Sequence, residues 1–149
     1  MSRQQQAGRD QLRAHRRVFW LAWQRAQRGQ PLNALEQRIV AVIAMHPEYQ
    51  SLFADEERFL DGDHLDNTGI HPWLHLSLHL ALEEQLATNQ PPAITTTLHH
   101  LQHRCGMEHH QALHRLLDVL AETVHEAQQR GGDPDVVAYQ RRLERLCRE

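Results

Sequence analysis

Histidine is the residue whose placement in this chain could do chemistry. In "HPWLHLSLHLALEEQ", residues 71 to 85, His71, His75 and His79 recur every four residues along what otherwise reads as the oily side of a buried helix. Further on, His110 and His114 repeat the same spacing. Side chains at i and i+4 are neighbours on a helix surface, so each H-x-x-x-H pair can offer two imidazole nitrogens to one ion. Two such pairs on two core helices are what a bundle needs to assemble an imidazole-rich metal site. On a helical wheel Leu74, Leu78, Leu82 and Leu86 form one row and Leu76 and Leu80 the other, and His75 and His79 fall between them, toward the core. His71 precedes Pro72 and is eight residues from His79, about 12 Å along a helix axis, so these three cannot all grip one ion.

In the later helix Leu113, Leu116, Leu117, Leu120 and Val124 define the apolar face, with His110 and His114 bordering it and Asp118 and His125 nearby in angle. Glu83, Glu122 or Glu126 could add oxygen. Imidazole sets suit Zn, Cu, Ni or Fe, and carboxylates beside them lean toward Fe. A different reading stays open, in which neutral imidazoles fill the core and bond carbonyls or carboxylates of the next helix. "HPEY", residues 46 to 49, is the third feature. His46 ends an apolar helix and Glu48 follows a bend forced by Pro47, so either could complete a ligand set. Alternatively His46 simply serves the negative end of the helix dipole while Tyr49 packs. His99, His100, His103 and His109 are assigned to the surface or a local basic patch, and His15 and His64 to the surface.

The elements that must position these residues read at helical period almost throughout. Leu12, Val18, Phe19, Ala22, Trp23 and Ala26 form a stripe from about Asp10 that stops at Gly29, and residues 1 to 9 are expected to be disordered. Asn33 with Glu36 resembles a capping box for a buried helix of Leu35, Ile39, Val42 and Ile43. Residues 54 to 70 read as an acidic loop with Gly62 and Gly69 as breakers. Pro72 suits the first position of the next helix, which "TNQPP" ends near Thr88. Helices over about 93 to 105 and 108 to 130 stop at Gly106 and Gly131, and Asp133 with Pro134 opens the last. No strand pattern or internal repeat is present, so the class is all-α, a single-domain bundle of five to six helices over residues 1 to 149.

Composition excludes several functions. The chain has 149 residues, 13 of them histidine, and all 16 basic residues are arginine. Without lysine there is no Walker A loop, Schiff-base lysine or S-x-x-K nucleophile. Cys105 and Cys147 form no paired motif, so neither a disulfide scaffold nor a thiolate zinc site is indicated, and a reducing cytoplasm fits best. The longest apolar run, "IVAVIAM" at 39 to 45, is too short to span a bilayer.

Together "PLNALEQRIVAVIAMHPEYQSL", "HPWLHLSLHLALEEQ" and "HEAQQRGGDPD" resemble a proteobacterial family catalogued as domain of unknown function eighteen forty-one, over most of the chain. The resemblance implies an HPEY element at His46 to Tyr49, an L-H-x-x-L-H element at Leu74 to His79, and a paired-histidine stretch at His110 and His114. It implies no activity. His71 stands where the family usually has asparagine and His125 where it usually has tryptophan, which makes both poor ligand candidates.

The leading expectation is therefore a metal-binding helical bundle with His46, His75, His79, His110 and His114 as donors. The alternative is a non-catalytic interaction or regulatory module with a structural histidine network, whose core would charge and loosen below about pH 6. For such a module a homodimer or protein partner fits better than nucleic acid. Arginine-rich ends could contact an acidic surface, but the net charge of -3 and the acidic stretch at 54 to 70 argue against nucleic acid. Trp20, Trp23 and Trp73 suit either an interface or the core.

Overall fold

The computed structural model describes residues 2–62 and 71–148. They are all-α, and among them run eight helices, more than the five to six expected from the sequence pattern. These are α1 (Arg3–Gln27), α2 (Ala34–Ala44), a 3-10 helix (Pro47–Ala54), α3 (Glu56–Asp61), α4 (Pro72–Thr88), α5 (Ala93–His103), α6 (His109–Arg130) and α7 (Val136–Leu146). None is long and apolar enough to cross a membrane. The chain divides into two compact units, Met1–Ser77 and Leu78–Glu149.

In the first unit α1 packs on α2 and α3. The stretch read as disordered is helical from Arg3, because Ser2 and Gln5 form a reciprocal capping box. Gly29, at φ 67°, follows the helix in the left-handed conformation that glycine adopts without strain. Asn33 and Glu36 cap α2 as expected, and the Glu36 carboxylate also pairs with Arg25. The acidic stretch is not all loop. Asp55 accepts from the Arg58 amide, Glu56 and Glu57 occupy the positive first turn, and Phe59 and Leu60 are buried. Its acids meet the arginines of α1, with Arg13 paired to Asp61 at 2.8 Å and Arg17 to Glu56 at 3.3 Å. The core is aromatic. Phe53 and Phe59 lie 4.4 Å apart, Trp20 and Trp23 border Phe53, and Trp73 sits edge-on to Phe19. Residues 63 to 70 of the acidic stretch, and His64 with them, lie outside the described residues.

In the second unit α5, α6 and α7 pack pairwise. Leu101, Leu113, Leu116, Leu143 and Leu146 are buried there, and Tyr139 of α7 donates its hydroxyl to Gln85 Oε1 of α4 at 2.6 Å. Helix α7 begins two residues later than Asp133-Pro134 suggests. The side chain of Asp135 accepts from the Ala138 amide and so caps it. Gly131, at φ 73°, ends α6 where expected.

Candidate functional site

In the first unit the end of α2 and the 3-10 helix after it hold His46. Pro47 occupies the first turn of that 3-10 helix and His46 becomes its cap residue. The ring is turned inward and 1 % exposed. Its Nδ1 lies 2.8 Å from the Val42 carbonyl, one turn back along α2. A carbonyl only accepts, so Nδ1 carries the proton and, in the neutral ring, Nε2 presents its lone pair. That Nε2 is 3.1 Å from Nε2 of His75 in the first turns of α4. Tyr49 stacks on His46 with centroids 5.4 Å apart, and meets His75 edge-on at 5.6 Å. A separation of 3.1 Å suits a hydrogen bond. It also suits two imidazole nitrogens on one ion, which at metal–nitrogen bonds of about 2.0–2.1 Å stand about 3.3 Å apart. The helix-terminus role of His46 is thus realised together with its reach to another histidine.

His71 takes a different place. Its Nδ1 accepts from the Trp73 amide at 3.0 Å and its Nε2 donates to the Gly62 carbonyl at 3.0 Å, so it caps α4 and ties it to the end of α3. Both ring nitrogens are spoken for.

In the second unit α4 and α6 bring three histidines together. His79 is fully buried, His114 is half-buried and His110 is exposed. The His110 and His114 centroids are 4.1 Å apart, and His79 stands 5.8 Å from His114 and 6.0 Å from His110. With metal–nitrogen bonds of about 2.0–2.1 Å, three rings on one ion have centroids about 5 Å apart. The α6 pair stands closer than that and His79 farther from both, so the rings would shift to share one ion. His110, expected to border the apolar face, is the second residue of α6 and is exposed.

Two of the three glutamates expected as oxygen donors, Glu122 and Glu126, are paired elsewhere. Arg142 of α7 pairs with Glu126 and, at 3.8 Å, with Glu122, and also donates to Thr123 Oγ1 at 3.0 Å. The hydrogen bond from Arg142 holds the Glu126 carboxyl below the ordinary carboxylate range, against the opposing effect of burial. Asp118 is exposed. Sequence spacing did not single out Tyr49 as a ring partner of two histidines, nor the Val42 carbonyl as what orients His46. The one signal was proximity, since Tyr49 lies one 3-10 turn from His46.

The family model described as Domain of unknown function (DUF1841) matches residues 10–145, most of the chain. The chain belongs to the DUF1841 family. Every histidine placed above lies within the matched span, as do the HPEY and L-H-x-x-L-H elements through which the sequence resembles the family. No curated protein and no solved structure matches the DUF1841 chain.

Proposed function

We propose that this DUF1841 protein is a metal-binding helical protein, with His79, His110 and His114 as the donor set of its second unit. The observation that carries this reading is the triangle of three imidazoles from two helices, one ring fully buried and one facing solvent. A buried ligand fixes an ion, while an exposed edge leaves it reachable by a small molecule, the pattern of three protein ligands plus an open position. With Glu122 and Glu126 turned to Arg142, the set is nitrogen-rich, which favours Zn, Cu or Ni over the mixed histidine and carboxylate set of non-haem Fe. Elemental analysis of untagged protein tests it. Wild type is expected to carry a first-row transition metal that His79→Ala lacks; wild type that neither carries nor takes up such a metal would overturn the reading.

A second reading has its own support in the first unit. The chain from the Val42 carbonyl through His46 to His75 has the form of a structural hydrogen-bond network. If that network is the whole purpose of the histidines, exhaustive chelation leaves the melting temperature unchanged. On the metal reading it falls, because an ion that binds only the folded state stabilises it.

A further inference from the structure

The second unit holds another imidazole pair, outside the set proposed above. His99 and His103 occupy the last turns of α5, four residues apart, both exposed, with ring centroids 4.3 Å apart and planes inclined by 35°. This is close to the 4.1 Å separation of His110 and His114. Neither ring is buried; their approach follows from the i, i+4 spacing, which sets the two side chains beside each other on one helix face. The backbone beneath them is firm. The Arg104 and Cys105 amides both return to the His100 carbonyl, the Met107 amide bonds the Leu101 carbonyl, and Leu101 is buried. Gln102, between the two rings in sequence, donates its amide to Nδ1 of His109 at 2.9 Å and so ties the end of α5 to the start of α6.

We propose that His99 and His103 form a second, solvent-facing chelate for a first-row divalent ion, filled out by water. Two imidazoles held one helical turn apart on an ordered helix lose little freedom on closing around an ion, so the second nitrogen binds at high effective concentration. Imidazole selects borderline ions such as Ni(II), Zn(II) and Cu(II) over Mg(II) or Ca(II). Being open to solvent, such a site exchanges its ion rapidly, in contrast to one anchored by a buried ring such as His79.

Ni(II) is the suitable probe, because the exposed free thiol of Cys105 would reduce Cu(II). Untagged full-length protein, His99→Gln, His103→Gln and the control His125→Gln are compared by equilibrium dialysis against Ni(II). Wild type is expected to bind one equivalent more than either His99→Gln or His103→Gln, each of which weakens that equivalent by at least about tenfold. His125→Gln is expected to match wild type. Equal Ni(II) binding by all four proteins, or the same loss in His125→Gln, would overturn the proposal. Because these residues are exposed, the variants keep the fold. Failure of the buried set, read from His79→Ala, leaves the His99 comparison intact.

Discussion

Nε2 of His46 lies 3.1 Å from Nε2 of His75, so in a neutral pair one ring supplies the proton of that bond and the other the lone pair. The Val42 carbonyl decides which is which by claiming Nδ1–H of His46, which leaves Nε2 of the neutral ring as an acceptor. Nitrogen-15 NMR of the imidazoles in chelator-treated protein is expected to show His46 as the Nδ1–H tautomer and His75 with a protonated Nε2. The opposite tautomer at His46 would break the argument.

The same relationship sets the cost of losing the ring. His46→Ala removes a 1 % exposed side chain, its bond to Val42 and its stack on Tyr49. Cavity formation and an orphaned buried carbonyl together are expected to cost about 2–4 kcal/mol. Urea denaturation measures it, and a loss under about 0.5 kcal/mol, the range of an ordinary surface change, would mean the ring does not organise this junction.

Helix period placed α2, α4, α5 and α6 close to where they lie, and α1 apart from its first seven residues, because apolar stripes, capping residues and glycine stops agree there. It missed α3, where the acids at Glu56 and Glu57 read as loop although they favour a helix N-terminus. The candidate ligands were legible, but their grouping was not. Spacing pairs His75 with His79, whereas the structure sets His75 against His46 within one unit and His79 against His110 and His114 within the other. Spacing along one helix says which side chains can meet; which of them do meet depends on the neighbouring element. Glu122 and Glu126 show the same limit, since their partner Arg142 comes from a helix sixteen or more residues away.

Arg16 offers a separate test of the first unit. Its buried guanidinium donates from Nη1 to the Leu60 and Gly62 carbonyls at 3.1 Å each and lies 5.8 Å from the centre of Trp73, so it caps α3 and seats the start of α4. Arg16→Ala is expected to cost about 2–3 kcal/mol, the scale of a charged hydrogen bond lost from a buried carbonyl. Arg16→Lys should be intermediate, because an ammonium lacks the planar fork. Equal stability of all three proteins in urea would sink this account.

Acid sensitivity follows from two carboxylates. A hydrogen bond from the Asn33 amide, then the Arg25 partner, lowers the Glu36 carboxyl, and Arg142 lowers Glu126. A folded pKa below the unfolded value of about 4.3 gives stability that is full above that value and is lost as pH falls through the folded pKa. Wild type should therefore lose stability on acidification below about pH 4, and Glu126→Gln should show a shallower loss over the same interval. Parallel curves of urea midpoint against pH for the two proteins would show that the Arg142 pair contributes nothing to it.

On the proposed metal reading, the three histidines of the donor set differ in burial, and their variants should differ accordingly. His79 is fully buried and stands opposite both α6 rings, so His79→Ala removes the one donor contributed by α4 and opens a cavity. Partners that merely orient a ligand are worth about 10- to 100-fold in metal affinity, so loss of a ligand should cost at least about a hundredfold. Exposed His110 can be replaced in part by water, which makes His110→Ala the milder change and leaves the fold intact. Competition with a chromophoric chelator ranks the affinities, expected as wild type above His110→Ala above His79→Ala. Equal affinity in His110→Ala and wild type would remove His110 from the donor set. Equal affinity in all three would place the ion elsewhere in the protein.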